Sequence, residues 1–148
     1  MCYRLQDKVA IVTGAGSIGA GWGNGKAAAT LFAREGAKVL CADINLKSAN
    51  ETSNLIKDEG GDASVFEVDV SDGEQVLGMV ETAMKTYGRI DILHNNVGIA
   101  EIGGPVEASE ESWDRVHDVN LKSAFLTCKY VIPVMQEQGE GSIVNVSS

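Results

Sequence analysis

Short runs of aliphatic and β-branched residues alternate along this chain with longer stretches in which apolar positions recur every three or four residues. Val9-Ala10-Ile11-Val12 is the first run, unbroken by polar residues as expected of a strand buried on both faces. A helix is predicted from about Lys26 to Glu35, stopped by Gly36, and Ala37–Ala42 is the second strand. The next helix, with Leu46, Ala49, Ser53 and Ile56 on one face, runs to Gly60-Gly61, and Val65–Val68 is strand three. Ser71 and Glu74 match a capping box for a helix carrying Val76, Met79, Val80, Ala83, Met84 and Tyr87 and ending at Gly88. Ile90–Leu93 follows as strand four. Ser109, with Glu110 and Glu111, opens a helical region through Trp113, Val116, Leu121 and Phe125 to about Gln138, broken near Asn120. Ser142–Val146 is a fifth strand. Such alternation predicts an α/β fold, a doubly wound parallel sheet of about five strands with helices on both faces.

With 148 residues, 44% of them hydrophobic, the expectation is one globular domain spanning 1–148. A net charge of −9 leaves no basic stripe for nucleic acid or anionic lipid, so neither is expected as a partner. No apolar run reaches membrane-spanning length and the first residues are mixed polar and apolar, so we expect a cytoplasmic protein without signal peptide or membrane anchor. Cys2, Cys41 and Cys128 form no Cys-x-x-Cys pair, which argues against disulfides and a zinc site and for inert thiols in a reducing compartment. No metal site is expected. His94 and His117 stand far apart in sequence and read as structural, and Trp113 as a core anchor beside Val116.

The densest chemical signal is the first turn, where Gly14, Gly16, Gly19, Gly21, Gly23 and Gly25 lie between a strand and a helix. A backbone that turns tightly or touches a ligand needs such residues, and the helix N-terminus behind them would face a pyrophosphate. A P-loop is the obvious competitor, but Ala20 and Ala27 stand where its first Gly and its Ser/Thr belong. The second signal is Asp43 at the end of strand two, placed to accept hydrogen bonds from adenosine ribose hydroxyls. A 2′-phosphate there would face like charge at a cost of about 4 kcal/mol at 4 Å and an effective dielectric of 20, so NAD(H) is preferred over NADP(H). Capping of the next helix is the plainer role for the same residue.

Taken together, these residues resemble the short-chain dehydrogenases/reductases along nearly the whole chain, which implies a Rossmann fold and NAD(P) binding. Thr13-Gly14-Ala15-Gly16-Ser17 resembles the start of the family's Thr-Gly-x-x-x-Gly-x-Gly loop. Gly23-Asn24-Gly25 closes it, with Ile18 to Trp22 as an insertion; a helix starting at Gly19 would contain three further glycines. Asp69-Val70 resembles the pair that receives adenine, against a plainer role for Asp69 as a cap. Asn95-Asn96-Val97-Gly98 resembles Asn-Asn-Ala-Gly, which supports the sheet and lines the cofactor region. Asn120 resembles the Asn of the catalytic tetrad, which holds a proton-relay water. Gly141–Ser148 resembles the strand that delivers the catalytic serine, by that pattern Ser148.

The resemblance also demands a Tyr-x-x-x-Lys pair, but four residues after Tyr3, Tyr87 and Tyr130 stand Asp7, Asp91 and Val134. We therefore expect this segment to be the incomplete N-terminal portion of the family fold, inactive alone. The complete enzyme would move a hydride between nicotinamide and a secondary alcohol or ketone and be a homo-oligomer. Truncation of a complete enzyme and a natural non-catalytic NAD-binding half or regulator compete as explanations. A methyltransferase using adenosylmethionine also combines a Gly-rich turn with an acid after strand two, but no Asn-Asn-x-Gly is expected there. Strand five is predicted to stand as an exposed apolar edge.

Overall fold

A computed structural model describes residues 3–147 of the chain. Five strands form one parallel sheet in the order β3-β2-β1-β4-β5: β1 (Val9–Thr13), β2 (Lys38–Asp43), β3 (Asp62–Glu67), β4 (Ile92–Asn95) and β5 (Ser142–Asn145). Between them run α1 (Asn24–Arg34), α2 (Leu46–Asp58), α3 (Gly73–Tyr87), α4 (Glu110–His117) and α5 (Ser123–Gln138), the last two joined by a π-turn at Asp118–Lys122.

Alternate residues of the buried strands feed two separate cores, which is why the strand sequences are continuously apolar. Ile11 and Leu40, paired in register, pack with Val76, Met79 and Leu126 on the α3 and α5 face. Val12 and Cys41, the next pair, pack with Ala29, Ala49 and Ala63 on the α1 and α2 face. Alanines at these contacts let the two helices lie close to the sheet. On α2 the buried face also carries Ser48 and Thr52, whereas Leu46 is exposed.

Several boundaries differ from those expected. β3 begins at Asp62, because the pairing with β2 extends down to Lys38. β4 begins two residues late. The Ile90 amide and carbonyl are bonded to the Gln138 side chain (2.9 and 2.8 Å), and the Asp91 carboxylate accepts the Val9 amide at 2.9 Å. Ser71 does not cap α3. Its amide and hydroxyl turn back to Asp69, and Asp72 accepts the Glu74 and Gln75 amides instead. Trp113 is no core anchor: α4 buries no residue, and Trp113, 62% exposed, packs its ring on His117 at 4.2 Å between centroids. The helix break expected near Asn120 is the π-turn.

The strand order reverses between β1 and β4, so their loops diverge and open a crevice beyond the C-terminal ends of the strands.

Candidate cofactor site

A cleft of about 800 Å3 occupies this crevice, walled by the loops after β1, β2, β3 and β4. Gly14 makes the turn out of β1 at φ 64°, a left-handed conformation that favours glycine. Its carbonyl accepts the Asn96 side-chain amide at 3.1 Å. A Cβ on Gly25 would collide with that carbonyl and lie 2.7 Å from Asn96 Nδ2. The first turn of α1 therefore rests directly on the loop.

Side chains from β2 and α2 hold the loop's own amides. Gly16 N–H donates to Asp43 Oδ2 at 2.9 Å, and Ser17 N–H donates to Ser48 Oγ at 2.7 Å. The Ser48 hydroxyl returns a bond to the Ser17 carbonyl, and Thr52 donates to the Ala15 carbonyl at 2.8 Å. Gly23 N–H donates to Ser17 Oγ at 2.9 Å. By contrast, Gly23 at the head of α1 provides no side-chain cap. The amides of Asn24 and Gly25 lie in the turn that has no intrahelical partners, and both residues line the cleft. This glycine cradle under an uncapped helix fits a pyrophosphate, because N–H groups and the helix dipole point where the anion would lie.

Asp43 is the last residue of β2 and lines the cleft. Its other oxygen accepts the Asn45 amide at 2.9 Å, and the carboxylate retains lone pairs for further donors. It does not cap α2; Asn45 does, accepting the Ser48 amide. Asp69 and Val70 line the same cleft, with Asp69 Oδ1 taking both the amide and the hydroxyl of Ser71. Val97 and Gly98 line the wall after β4.

Thr13 and Asn95 stand behind the cleft. Thr13, fully buried, accepts the Asn96 amide at 3.2 Å and so ties β1 to β4. Asn95 points toward β5, donating to Asn145 Oδ1 at 2.8 Å, and its own Oδ1 is buried without a protein partner. Asn96 is the member of the pair that faces the crevice. Asn120, in the π-turn, uses both ends of its side chain on Ile99, accepting from its amide and donating to its carbonyl at 2.8 Å each. It thereby fixes the segment after Gly98. Ser148 lies outside the described residues.

Ser48, Thr52 and Arg115 were not anticipated from the sequence, and Asn96 rather than Asn95 is the Asn-Asn member that lines the cleft. Ser48 and Thr52 are polar residues one turn apart on the buried face of α2, and that spacing was the available signal. Arg115 lines the cleft from α4 and makes no ion pair among the described residues. Outside the cleft, burial pushes the Cys41 thiol up to about 12, which suppresses the reactive thiolate. Burial likewise lowers the pKa of His94, whose ring meets Phe32 edge-on and whose Nδ1 is unpaired. No group of three His, Cys, Asp or Glu residues able to hold a metal occurs among the described residues.

Residues 8–148 match the family model described as short chain dehydrogenase. This chain belongs to the short-chain dehydrogenase family. It is 50% identical to a crystal structure from Burkholderia xenovorans assigned to the short-chain dehydrogenases/reductases, with a TM-score of 0.95 over 98% of this chain and 57% of the other. Among curated relatives, an uncharacterized oxidoreductase of Thermotoga maritima is 47% identical over 98% of this chain and 55% of its own length. A 3-oxoacyl-(acyl-carrier-protein) reductase of the same organism is 44% identical over 98% and 57% respectively. The chain thus spans somewhat more than half the length of the relatives it matches. Its Rossmann-type sheet and family membership imply binding of a nicotinamide dinucleotide. Among the described residues no helix is long and apolar enough to cross a membrane.

Proposed function

We propose that this chain forms the NAD(H)-binding portion of an oxidoreductase that interconverts a secondary alcohol and a ketone. The observation that carries the cofactor preference is the Asp43 carboxylate, held at the cleft by the Gly16 and Asn45 amides. So fixed, it favours donors such as the ribose hydroxyls and opposes a 2′-phosphate. Nothing basic stands beside it on the β2–α2 turn, where Ile44 and Asn45 follow.

The Asn24 and Gly25 amides would hold the pyrophosphate, with Thr13, Gly14, Ser17 and Gly23 shaping the loop that presents them. Asp69 and Val70 would receive the adenine, and Val97 and Gly98 the adjoining ribose, with Asn95 and Thr13 as supports behind the wall. When bound, the nicotinamide supplies a ring that accepts or gives up hydride. Asn120 would position the proton relay through the Ile99 segment, and Ser148 would orient the substrate hydroxyl. Because no Tyr-x-x-x-Lys pair is present, the chain alone is expected to show no turnover.

Calorimetric titration of the folded chain with NADH and NADPH tests this reading. Saturable NADH binding is expected, with NADPH at least tenfold weaker and the gap narrowed in Asp43→Ala. Equal affinities, or tighter NADPH, would contradict the role given to Asp43.

A further inference from the structure

The insertion between Ser17 and Gly23 has fixed roots and an unpacked tip. At its base the Ser17 hydroxyl accepts the Gly23 amide at 2.9 Å and donates to the Gly21 carbonyl at 3.2 Å, closing the segment into a ring. One root is bound to Ser48, beside Asp43, and the other opens α1. Above them, Gly21 adopts φ 115°, and a Cβ on Gly19 or Gly21 would meet nothing within 4 Å. Ile18 and Trp22 are 108% and 59% exposed, yet both line the cleft.

Two large, exposed apolar side chains on a wall shared with Asp43, Ile44, Ser48 and Asp69 leave apolar surface in water that a ligand in the cleft would cover. Lys26, on the first turn of α1, places its Nζ 5.4 Å from the centre of the Trp22 ring. This cation–π contact holds the indole over the end of the helix whose amides are uncapped. The first root lies on the β2 side of the cleft, against Ser48, and the second opens α1, whose first turn rests on the Gly14 carbonyl.

From this placement we propose that the insertion is a cofactor-contacting flap, in which Trp22 packs against the adenosine diphosphate portion of the dinucleotide and sets its affinity. This rests on the NAD(H) reading above and adds to it a contact made by residues outside the family's loop pattern.

The chain has two tryptophans, so Trp113→Phe leaves Trp22 as the sole emitter. In that variant, ADP-ribose and NADH are expected to shield Trp22 from acrylamide quenching with midpoints that match calorimetric Kd values, whereas nicotinamide mononucleotide leaves quenching unchanged. Trp22→Ala is expected to weaken ADP-ribose binding about tenfold, and Trp22→Phe to retain most of it. Calorimetric binding of ADP-ribose with unchanged quenching, and with Trp22→Ala equal to wild type, would overturn the flap while leaving the cofactor reading intact. Failure of a folded chain to bind either ADP-ribose or NADH would overturn both.

Discussion

β2 and β5 are both parallel strands, but they stand in opposite circumstances. β2 is paired on both edges, four of its six residues are buried, and its C-terminal carboxylate is tied to the loop it faces. β5 is paired on one edge only, with Val144 44% exposed and Val146, just beyond it, 47% exposed. The unpaired polar atoms Asn95 Oδ1 and His94 Nδ1 lie on β4 beside it. On the side that would hold the adenosine diphosphate, the polar side chains of β2 and α2 are thus tied to the loop amides. The side toward β5 leaves polar and apolar groups unmatched.

The largest effect expected from breaking the well-packed side is that of Gly25→Ala. The added methyl has no room against the Gly14 carbonyl and Asn96, so we expect a loss of roughly 2–3 kcal/mol in denaturant unfolding together with loss of NADH binding.

A smaller effect tests the clamp where the two sides meet at the N-terminal ends of the strands. There Asp91 accepts the Val9 amide and bonds Arg89, while Lys8 and Arg89 both reach Glu140. Burial pushes the Asp91 carboxyl up, but Arg89, the Val9 amide and Lys8 outweigh it and hold it below its ordinary value. Bonding to Lys8, then to Arg89, lowers Glu140 in the same way. The unfolded chain then binds more protons than the folded one at acid pH. Stability is present above the ordinary carboxylate range and is lost as pH falls below about 4. Asp91→Asn should cost about 1–2 kcal/mol at pH 7 and flatten the acid limb of a stability-against-pH curve.

The smallest effect on stability concerns the exposed edge. Val144→Lys is expected to change unfolding free energy by less than about 0.5 kcal/mol but to reduce concentration-dependent association measured by light scattering.

The same contrast explains which features were legible in the sequence. β1 and β2 are continuous apolar runs because both faces are covered, and Gly36 and Gly88 stop their helices at φ 95° and 78°. Asp43 followed from its place at the end of β2, whereas Asn120 stood out only through its resemblance to the family's Asn. What could not be read were choices between neighbouring side chains of like chemistry: Asp72 rather than Ser71 as the cap, and Asn96 rather than Asn95 facing the cleft. Each depends on where the chain turns, which is settled by contacts distant in sequence, such as Gln138 on Ile90 or Thr13 on Asn96. Trp113 misled because a large aromatic beside an aliphatic residue suggests a core position, whereas α4 lies outside both cores.

Hydrogen exchange of the chain with and without saturating ADP-ribose tests the central claim most directly. The account predicts added protection at residues 14–25, at 43–48 and at 69–70, with β5 exchanging as fast as in the free chain. Protection confined to β4 and β5, or binding that leaves the amides of residues 14–25 unchanged, would contradict it.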